Sequence, residues 1–325
     1  MSNGHDSTAQ ELLVSTGPHV HAIRDIPRIM YGVIIALVPA SIMGIYLFGW
    51  GALKVIVVST LVAILTEGAV QYAMGRKASM LDGSAAVTGL LLALNLPPAS
   101  PWWMVMVGAA VAIILGKQIY GGLGHNPFNP ALVARVVLLV SWPVHMTQWI
   151  SPIDGVSTAT PLGILKSEGI ARLGGVRLFD LFIGNVGGCI GEVSAIALLA
   201  GFIFLLWKGY VTWHVPVSYM GTVVVFTGIF WAANPQKYAN PLFHLLAGGL
   251  VLGACFMATD YVTSPVTIKG QIIFGVGCGL LTGIIRLFGG YPEGVSFSIL
   301  LMNAATPLID QYTRPKRYGR VNRDA

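Results

Sequence analysis

Ten apolar blocks separated by short polar stretches dominate this chain of 325 residues. A helix needs about 20 mostly apolar residues to cross a lipid bilayer, within a range of about 17–25. The eight clear candidates are Ile29–Trp50, Leu53–Met74, Trp102–Tyr120, Val186–Trp207, Val211–Trp231, Leu242–Ala258, Ile272–Leu287 and Val295–Ile309. Two further blocks, Ala85–Leu96 and Ala131–Trp142, are short for a crossing. The pattern predicts an all-α polytopic membrane protein with about ten transmembrane helices.

The charge distribution excludes a nucleic-acid-binding protein. Only 10% of the residues are charged and 55% are hydrophobic, whereas a soluble domain carries about 25% charged residues. The net charge of +6 comes from arginines and lysines beside the apolar blocks and in the last dozen residues. Basic residues in such places face the cytoplasm and contact lipid headgroups. We therefore expect both termini on the cytoplasmic side of a bacterial cytoplasmic membrane, and the polar loop 143–185 on its outer side.

The composition divides the chain into three parts. Residues 1–27 form a polar N-terminal segment with no apolar core for a cleavable signal peptide. Residues 28–310 form a single membrane domain, and residues 311–325 form a basic cytoplasmic tail. Within the membrane domain we expect two halves, 28–142 and 186–310, joined by the loop.

The two halves carry the same order of features. Residues 89–135 contain GLLLALNLPPASP, an apolar helix, a Gly-Gly pair and GHNPFNPALVAR. Residues 253–303 contain GACFMATDYVTSP, an apolar helix, a Gly-Gly pair and YPEGVSFSILLMN. The second set lies five helices after the first, so the two halves would have opposite orientations in the membrane. This order predicts an inverted repeat. Inverted repeats with short or broken helices commonly build a site near the bilayer midplane. Glycine and proline are also frequent in membrane helices without such a role.

Four acidic residues within apolar surroundings are candidates for an ion path, because an intramembrane carboxylate is costly to insert. They are Glu67, Asp82, Glu192 and Asp260. Asp82 precedes Gly-Ser-Ala-Ala and equally fits a helix N-cap. The other three do not have that alternative, because Glu67 and Glu192 are predicted inside helices and Asp260 precedes a Thr/Ser-rich break.

The three cysteines form neither a disulfide framework nor a metal cluster. Cys189, Cys255 and Cys278 lie singly in apolar stretches. An odd, dispersed set of this kind is typical of small buried side chains. We predict no bound metal ion.

The longest polar loop contains DGVSTATPLG, residues 154–163, with three hydroxyl side chains among Ser157, Thr158, Ala159 and Thr160. Thr160 before Pro161 fits an N-cap with proline at the first helical position, opening a short helix PLGILKS. The proline also holds Thr160 in an extended conformation. The pattern predicts a hydroxyl that stands clear of the chain and can carry a phosphoester.

Two further motifs offer polar groups for a ligand. GNVGGCIGE, residues 184–192, reads as a glycine-rich helix entry, and its backbone N–H groups suit an anion or a flat ligand near Gly187 and Gly188. GHNPFNPALVAR contains Asn126 and Asn129, whose amides can hydrogen-bond a heterocycle. Each motif alone also fits a plain structural role, as close helix packing or as a turn.

Together these residues resemble the NqrB/RnfD family, the membrane flavin subunits of the Rnf complex and of the Na+-pumping NADH:quinone reductase. The resemblance rests on the tetrad Ser157–Thr160, on GGLGHNPFNPA, on GNVGGCIGEVSA and on FMATDYVTSP. It covers about residues 18–309, and the chain length is closer to the Rnf members. The family implies a urea-transporter-like fold of ten helices in two inverted repeats.

The resemblance also implies a cofactor and its attachment point. In this family the last threonine of the tetrad carries FMN through its phosphate, which implies a covalent bond to Thr160. Ser157, Thr158 and Ala159 are then loop contacts, and Gly187 and Gly188 pack near the flavin. Some relatives also hold riboflavin without a covalent bond.

The implied function is electron transfer between ferredoxin and NAD, coupled to Na+ or H+ translocation. The implied partners are the other membrane subunits and the iron–sulfur and flavin subunits of the complex, and a flavin transferase for maturation. Three alternatives remain open: the NqrB-like component of the quinone reductase, a channel or transporter of the same fold without a redox role, and a purely structural assembly protein.

Overall fold

The structure is a computed structural model that describes residues 26–76, 80–152, 155–170, 173, 177–192 and 194–315. Almost all of the polar segment 1–27 and most of the basic tail lie outside the described residues, as does Asp154 at the start of the loop motif.

The described residues are arranged almost entirely as helices. They are α1 Ile26–Phe48, α2 Trp50–Ala73, α3 Ser84–Leu94, α4 Trp102–Ile113, α5 Pro130–Ser141, α6 Pro143–Met146, α7 Pro161–Glu168, α8 Leu178–Ile183, α9 Ala195–Trp207, α10 His214–Ala233, α11 Pro241–Leu246, α12 Leu250–Leu252, α13 Ile268–Phe288 and α14 Val295–Thr313. Wider π-helical turns, Ile114–Gln118 and Gly253–Met257, continue α4 and α12.

The prediction of an all-α polytopic membrane protein is confirmed. Four helices, α1, α2, α10 and α13, are long and apolar enough to cross a bilayer. Shorter apolar helices include α3, α5 and α9, and α4 with its π-helical turn. The three cysteines are buried and free, as predicted.

Two predicted segments differ from the observed helices. In the block Val186–Trp207 only α9 is helical, because glycines and turns occupy residues 186–192. The block Leu242–Ala258 is divided at Gly248, whose φ of 73° lies in the left-handed region that helices do not use. Both departures place irregular backbone inside the protein, where buried polar groups can satisfy it.

The two halves have a similar order of elements, with one additional short helix in the second, and the inverted repeat stays a prediction. In the first half a long helix α2 is followed by the short α3, then α4 and α5. In the second half the long α10 is followed by α11, the short α12 with its π-helical turn, and then α13 and α14.

Helices α1 and α9 join the two halves by close backbone packing. The buried face of α1 includes Gly32, Ala36, Ala40 and Gly44, which recur every four residues. On α9, a Cβ atom at Gly201 would clash with the carbonyl oxygen of Ala36. Small residues with this spacing allow membrane helices to approach closely.

Candidate functional site

Thr160 caps the N-terminus of α7. Its backbone is extended, with φ −64° and ψ 154°, and its Oγ1 accepts a hydrogen bond of 3.0 Å from the N–H of Gly163. Pro161 occupies the first helical position. The predicted cap, the extended conformation and the short helix after it are therefore all present.

The expectation of a freely exposed Thr160 hydroxyl is wrong. Thr160 is only 6% exposed, because its hydroxyl turns back towards the helix that it caps. The three residues before it, Ser157, Thr158 and Ala159, are exposed, as predicted. Backbone pairing positions them, since Ser157 bridges Ile150 and the Thr158 N–H donates to the carbonyl of Trp149 at 3.0 Å.

A small cavity of about 10 Å³ brings four predicted site residues together. Thr160, Gly187, Gly188 and Glu192 all line it, with Leu246 and other apolar side chains. At Gly187 a Cβ atom would lie 2.6 Å from Oγ1 of Thr158, so the side chain of Thr158 packs directly on the backbone of this glycine. Residues far apart in the sequence thus form one small site beside the polar loop.

The glycine-rich segment does not offer all its N–H groups to a ligand. The N–H of Ile190 donates to the carbonyl of Leu96 at 3.1 Å, and the N–H of Gly191 donates to that of Leu94 at 2.7 Å. These bonds satisfy carbonyls that the short helix α3 leaves free at its C-terminus. The segment is a turn, so the prediction that Glu192 lies inside a helix is also wrong.

Arg135 is a functional candidate that sequence reasoning missed. Its guanidinium is buried, and it donates to Oδ1 of Asn95 at 2.5 Å and to Sγ of Cys189 at 3.6 Å. It pairs with the Glu293 carboxylate and lies 3.6 Å from that of Glu192. The signal was present in the sequence, because an arginine inside the apolar block Ala131–Trp142 is as costly as an acid there.

Arg286 is a second buried arginine nearby. Its guanidinium donates to the carbonyl oxygens of His244 and Ala247, at the end of α11. Cations are favoured there, because the last carbonyls of a helix carry negative partial charge.

Lys166 fixes α7 against the end of α13. Its ammonium donates to the carbonyl oxygens of Ile285 at 3.3 Å, Arg286 at 3.4 Å and Tyr291 at 3.0 Å. Burial lowers the pKa of this ammonium below its ordinary value. The helix that Thr160 caps is therefore held to the second half of the protein.

A second cavity lies at the opposite end of the bundle. Its volume is about 90 Å³, and its lining includes Lys117, Asn126, Asn129 and Asp260. Helix α9 shows how far apart the two cavities lie. Its first residue, Ala195, comes soon after Glu192, and Leu205 near its other end lines the second cavity. Asn126 and Asn129 are therefore not brought to Thr160.

Glu67 and Lys117 form a buried ion pair beside the second cavity. The Lys117 Nζ lies 2.6 Å from Oε1 of Glu67, which also accepts from Gln118 Nε2 at 2.9 Å. Nζ also donates to Oγ of Ser84 at 2.5 Å. Glu67 therefore pairs with polar groups, as expected for a carboxylate inside a helix, and Lys117 is a partner that the sequence analysis overlooked.

Asp82 stabilises the start of α3 from one residue before the N-cap, which is Gly83 and not Asp82 as its sequence allowed. Its Oδ1 accepts from the backbone N–H of Ser84 at 2.8 Å and from its hydroxyl at 2.6 Å, at the start of α3. Asp260 accepts a bond of 3.3 Å from the hydroxyl of Thr263, in the break before α13.

The two predicted asparagines make structural bonds. Asn129 caps α5 by accepting from the N–H groups of Ala131 and Leu132, and it donates to the carbonyl of Met257 at 3.2 Å. Asn126 donates to the carbonyl of Phe128 at 3.2 Å. Their polar atoms therefore serve the turn, and both side chains also line the second cavity.

Comparison with known proteins gives a consistent result over nearly the whole chain. Residues 13–319 match the family described as "NQR2, RnfD, RnfE family". The chain is 48% identical over 316 residues to the D subunit of the proton-translocating ferredoxin:NAD(+) oxidoreductase complex of Clostridium ljungdahlii, covering 94% of this chain and 96% of the relative. It is 48% identical over 312 residues to the D subunit of the Na(+)-translocating ferredoxin:NAD(+) oxidoreductase complex of Acetobacterium woodii, covering 95% of each.

A third relative extends the comparison to another bacterium. The D subunit of the ion-translocating oxidoreductase complex of Cronobacter sakazakii is 41% identical over 344 residues, covering 94% of this chain and 98% of the relative. The apolar helices and these relatives together indicate a multi-pass bacterial membrane protein that belongs to an oxidoreductase complex. The family match and the extent of these identities establish that the chain belongs to the NQR2, RnfD, RnfE family.

Proposed function

We propose that this chain is the membrane subunit of an ion-translocating ferredoxin:NAD oxidoreductase complex and carries FMN as a phosphoester on Thr160. Three relatives, each named as the D subunit of an ion-translocating oxidoreductase complex, support the role in the complex. Two of those names give different ions, protons and Na+, so the proposal leaves the coupling ion open. The cap geometry of Thr160 carries the proposal of the attachment point.

The surroundings of Thr160 fit a phosphoester. An ester oxygen at Oγ1 retains a lone pair for the N–H of Gly163, so the cap persists after modification. The phosphate would lie at the N-terminus of the eight-residue helix α7, where the helix dipole favours negative charge. Because Thr160 is buried, its surroundings would have to open for the flavin transferase to reach its hydroxyl.

The walls of the first cavity suit a flat ring at its mouth. Gly187 and Gly188 present backbone without side chains. When bound, FMN would supply one- and two-electron chemistry, while the protein supplies position and electrostatic environment. The residues of this chain would hold the ring at a fixed place on the outer side.

For non-covalent riboflavin we propose the second cavity. It is larger, and it combines apolar walls, including Leu205 and Phe256, with the polar groups of Lys117, Asn126 and Asp260. A few convergent polar groups in a mostly apolar pocket are typical of a site for a neutral heterocycle.

We also propose that an ion path through the protein includes residues from the set Glu67, Asp82, Glu192 and Asp260. Glu67 and Asp260 lie beside the second cavity, and Glu192 lies beside the first. We further propose the other subunits of the Rnf-type complex as partners, both termini on the cytoplasmic side, and the flavin loop outside.

The experiment for Thr160 is in-gel flavin fluorescence of the denatured chain, purified from its native host. Wild type should fluoresce after denaturation, because the bond is covalent. Thr160→Asn should be dark while remaining folded, since asparagine also caps helices well. Thr158→Ala removes a neighbouring exposed hydroxyl and should fluoresce like wild type. A fluorescent Thr160→Asn band would disprove the attachment point.

A dark wild-type band would favour the channel or assembly-protein interpretations.

For the second cavity, the supernatant after denaturation should contain riboflavin at about one per chain. Asn126→Ala should lower that amount without changing the fluorescence of the band. If Asn126→Ala left the riboflavin content unchanged, the proposal of riboflavin in the second cavity would fail, and the proposal of FMN on Thr160 would be unaffected.

A further inference from the structure

Four charged groups, three of them buried and one partly buried, surround the break between α11 and α12. A Cβ atom at Gly249 would lie 3.0 Å from Oε1 of Glu192 and 3.7 Å from Nη1 of Arg135. A Cβ atom at Gly248 would lie 3.2 Å from Nη2 of Arg286 and 3.8 Å from Cγ of Glu293. Two arginines and two glutamates therefore meet at two consecutive glycines, and their charges cancel when both acids are ionised.

Among the described residues of this cluster, only Glu192 has a buried carboxylate oxygen without a hydrogen-bond partner. The Glu293 carboxylate is paired with Arg135, and Arg286 donates to two carbonyls. Oε2 of Glu192 accepts a 3.4 Å bond from the N–H of Cys189, whereas its Oε1 is buried with no hydrogen-bond partner. The nearest cation to Oε1 is the Arg135 Nη2, at 3.6 Å.

The other titratable groups facing Glu192 are Glu293 and Cys189, and each already has a partner. Glu293 pairs with Arg135. The Cys189 thiol donates to the carbonyl of Asn95 at 3.2 Å and accepts from Arg135, which suits a neutral thiol. The two arginines remain charged under all ordinary conditions. A proton entering the cluster therefore has its free acceptor on Glu192.

The free oxygen belongs to a residue that shares a cavity with the flavin anchor. Glu192 and Thr160 line the same space, beside the exposed residues Ser157–Ala159. An unpaired charge inside a protein of low dielectric is costly. An electron added to the group on Thr160 would leave one uncompensated negative charge beside the two arginines and two glutamates, whose own charges cancel.

We propose that Glu192 accepts the proton that balances an electron arriving at the group on Thr160. This inference rests on the proposed function. One electron comes from the upstream carrier of the complex, and one proton comes from water on the outer side. The proton forms an O–H bond at the carboxylate of Glu192 and leaves again when the electron passes on, so that charge is conserved at each stage.

The test is redox-difference infrared spectroscopy of the flavin-loaded complex, in H2O and in D2O. Reduction should produce a protonated-carboxyl band that shifts in D2O. Glu192→Gln should lack this band, and its flavin potential should depend less steeply on pH than that of wild type. Glu168→Gln, which changes an exposed acid on α7, is the matched control and should retain both signals.

Each outcome has a defined meaning. In-gel fluorescence of Glu192→Gln at the wild-type level shows that the variant folds and is flavinylated. A fluorescent Glu192→Gln complex with an unchanged band and pH slope would overturn the inference and leave the flavin proposal intact. A band that requires Na+ and is insensitive to D2O would also overturn it, because Glu192 would then take up a metal cation. A dark wild-type chain would instead refute the proposed function itself.

Discussion

The two cavities differ in size and in how their polar groups are held. The cavity at Thr160 is small, about 10 Å³, and it is built from a helix cap, turns and glycine backbone beside an exposed loop. The cavity at Lys117 is larger, about 90 Å³, and lies among helices of both halves. A larger pocket can retain a ligand by covering most of its surface. The cavity at Thr160 has too little room for that, and a covalent bond would compensate for the missing burial.

The largest expected effect is at the second cavity, in Lys117→Met. This substitution leaves the Glu67 carboxylate buried without its cation, and breaking such a pair costs about 3–5 kcal/mol. We expect the free energy of unfolding in detergent micelles to fall by that amount. The double variant Lys117→Met/Glu67→Gln should recover most of the loss, because no unpaired charge remains. Equal stability of the single and double variants would show that the pair carries little energy.

A smaller effect is expected at the first cavity, in Gly248→Ala. The residue has a φ of 73°, and an added Cβ would lie 2.8 Å from Cδ1 of Leu162 on α7. Strain and overpacking of this kind cost about 1–3 kcal/mol. We expect lower stability and weaker in-gel flavin fluorescence, because α7 is displaced. Gly290→Ala is the control, since a Cβ there meets no atom within 4 Å. A loss of the same size in Gly290→Ala would contradict the explanation.

The smallest effect isolates the cap from the covalent bond. Thr160→Ala removes the acceptor for the N–H of Gly163 and should destabilise α7 by about 1 kcal/mol, whereas Thr160→Asn should cost only a few tenths. Hydrogen exchange of the α7 amides would measure the difference. Equal protection in the two variants would mean that the cap contributes little, and the buried Thr160 hydroxyl would then need another explanation.

Local signals predicted the elements but not their contacts. Proline after Thr160 and aspartate before Gly83 were sufficient to predict two helix starts, because caps depend on neighbouring residues. Arg135 and Lys117 were missed, because their partners lie 33 or more residues away in the sequence. Only packing shows whether a charge in an apolar block is paired. The glycine-rich segment 187–191 suggested a ligand site, yet the N–H groups of Ile190 and Gly191 bond to carbonyls at the end of α3 and just after it.

The sequence by itself determined that this chain has helices apolar enough to span a membrane and that Thr160 begins a helix, and its motif order predicts a repeat of the two halves. Apolar length, motif order and capping are properties of short segments, so they can be read before the chain folds. Tertiary structure alone decided that Thr160, Gly187 and Glu192 share one cavity while Asn126 and Asn129 face another. The physical reason is that buried polar groups must find partners, and those partners come from distant parts of the chain.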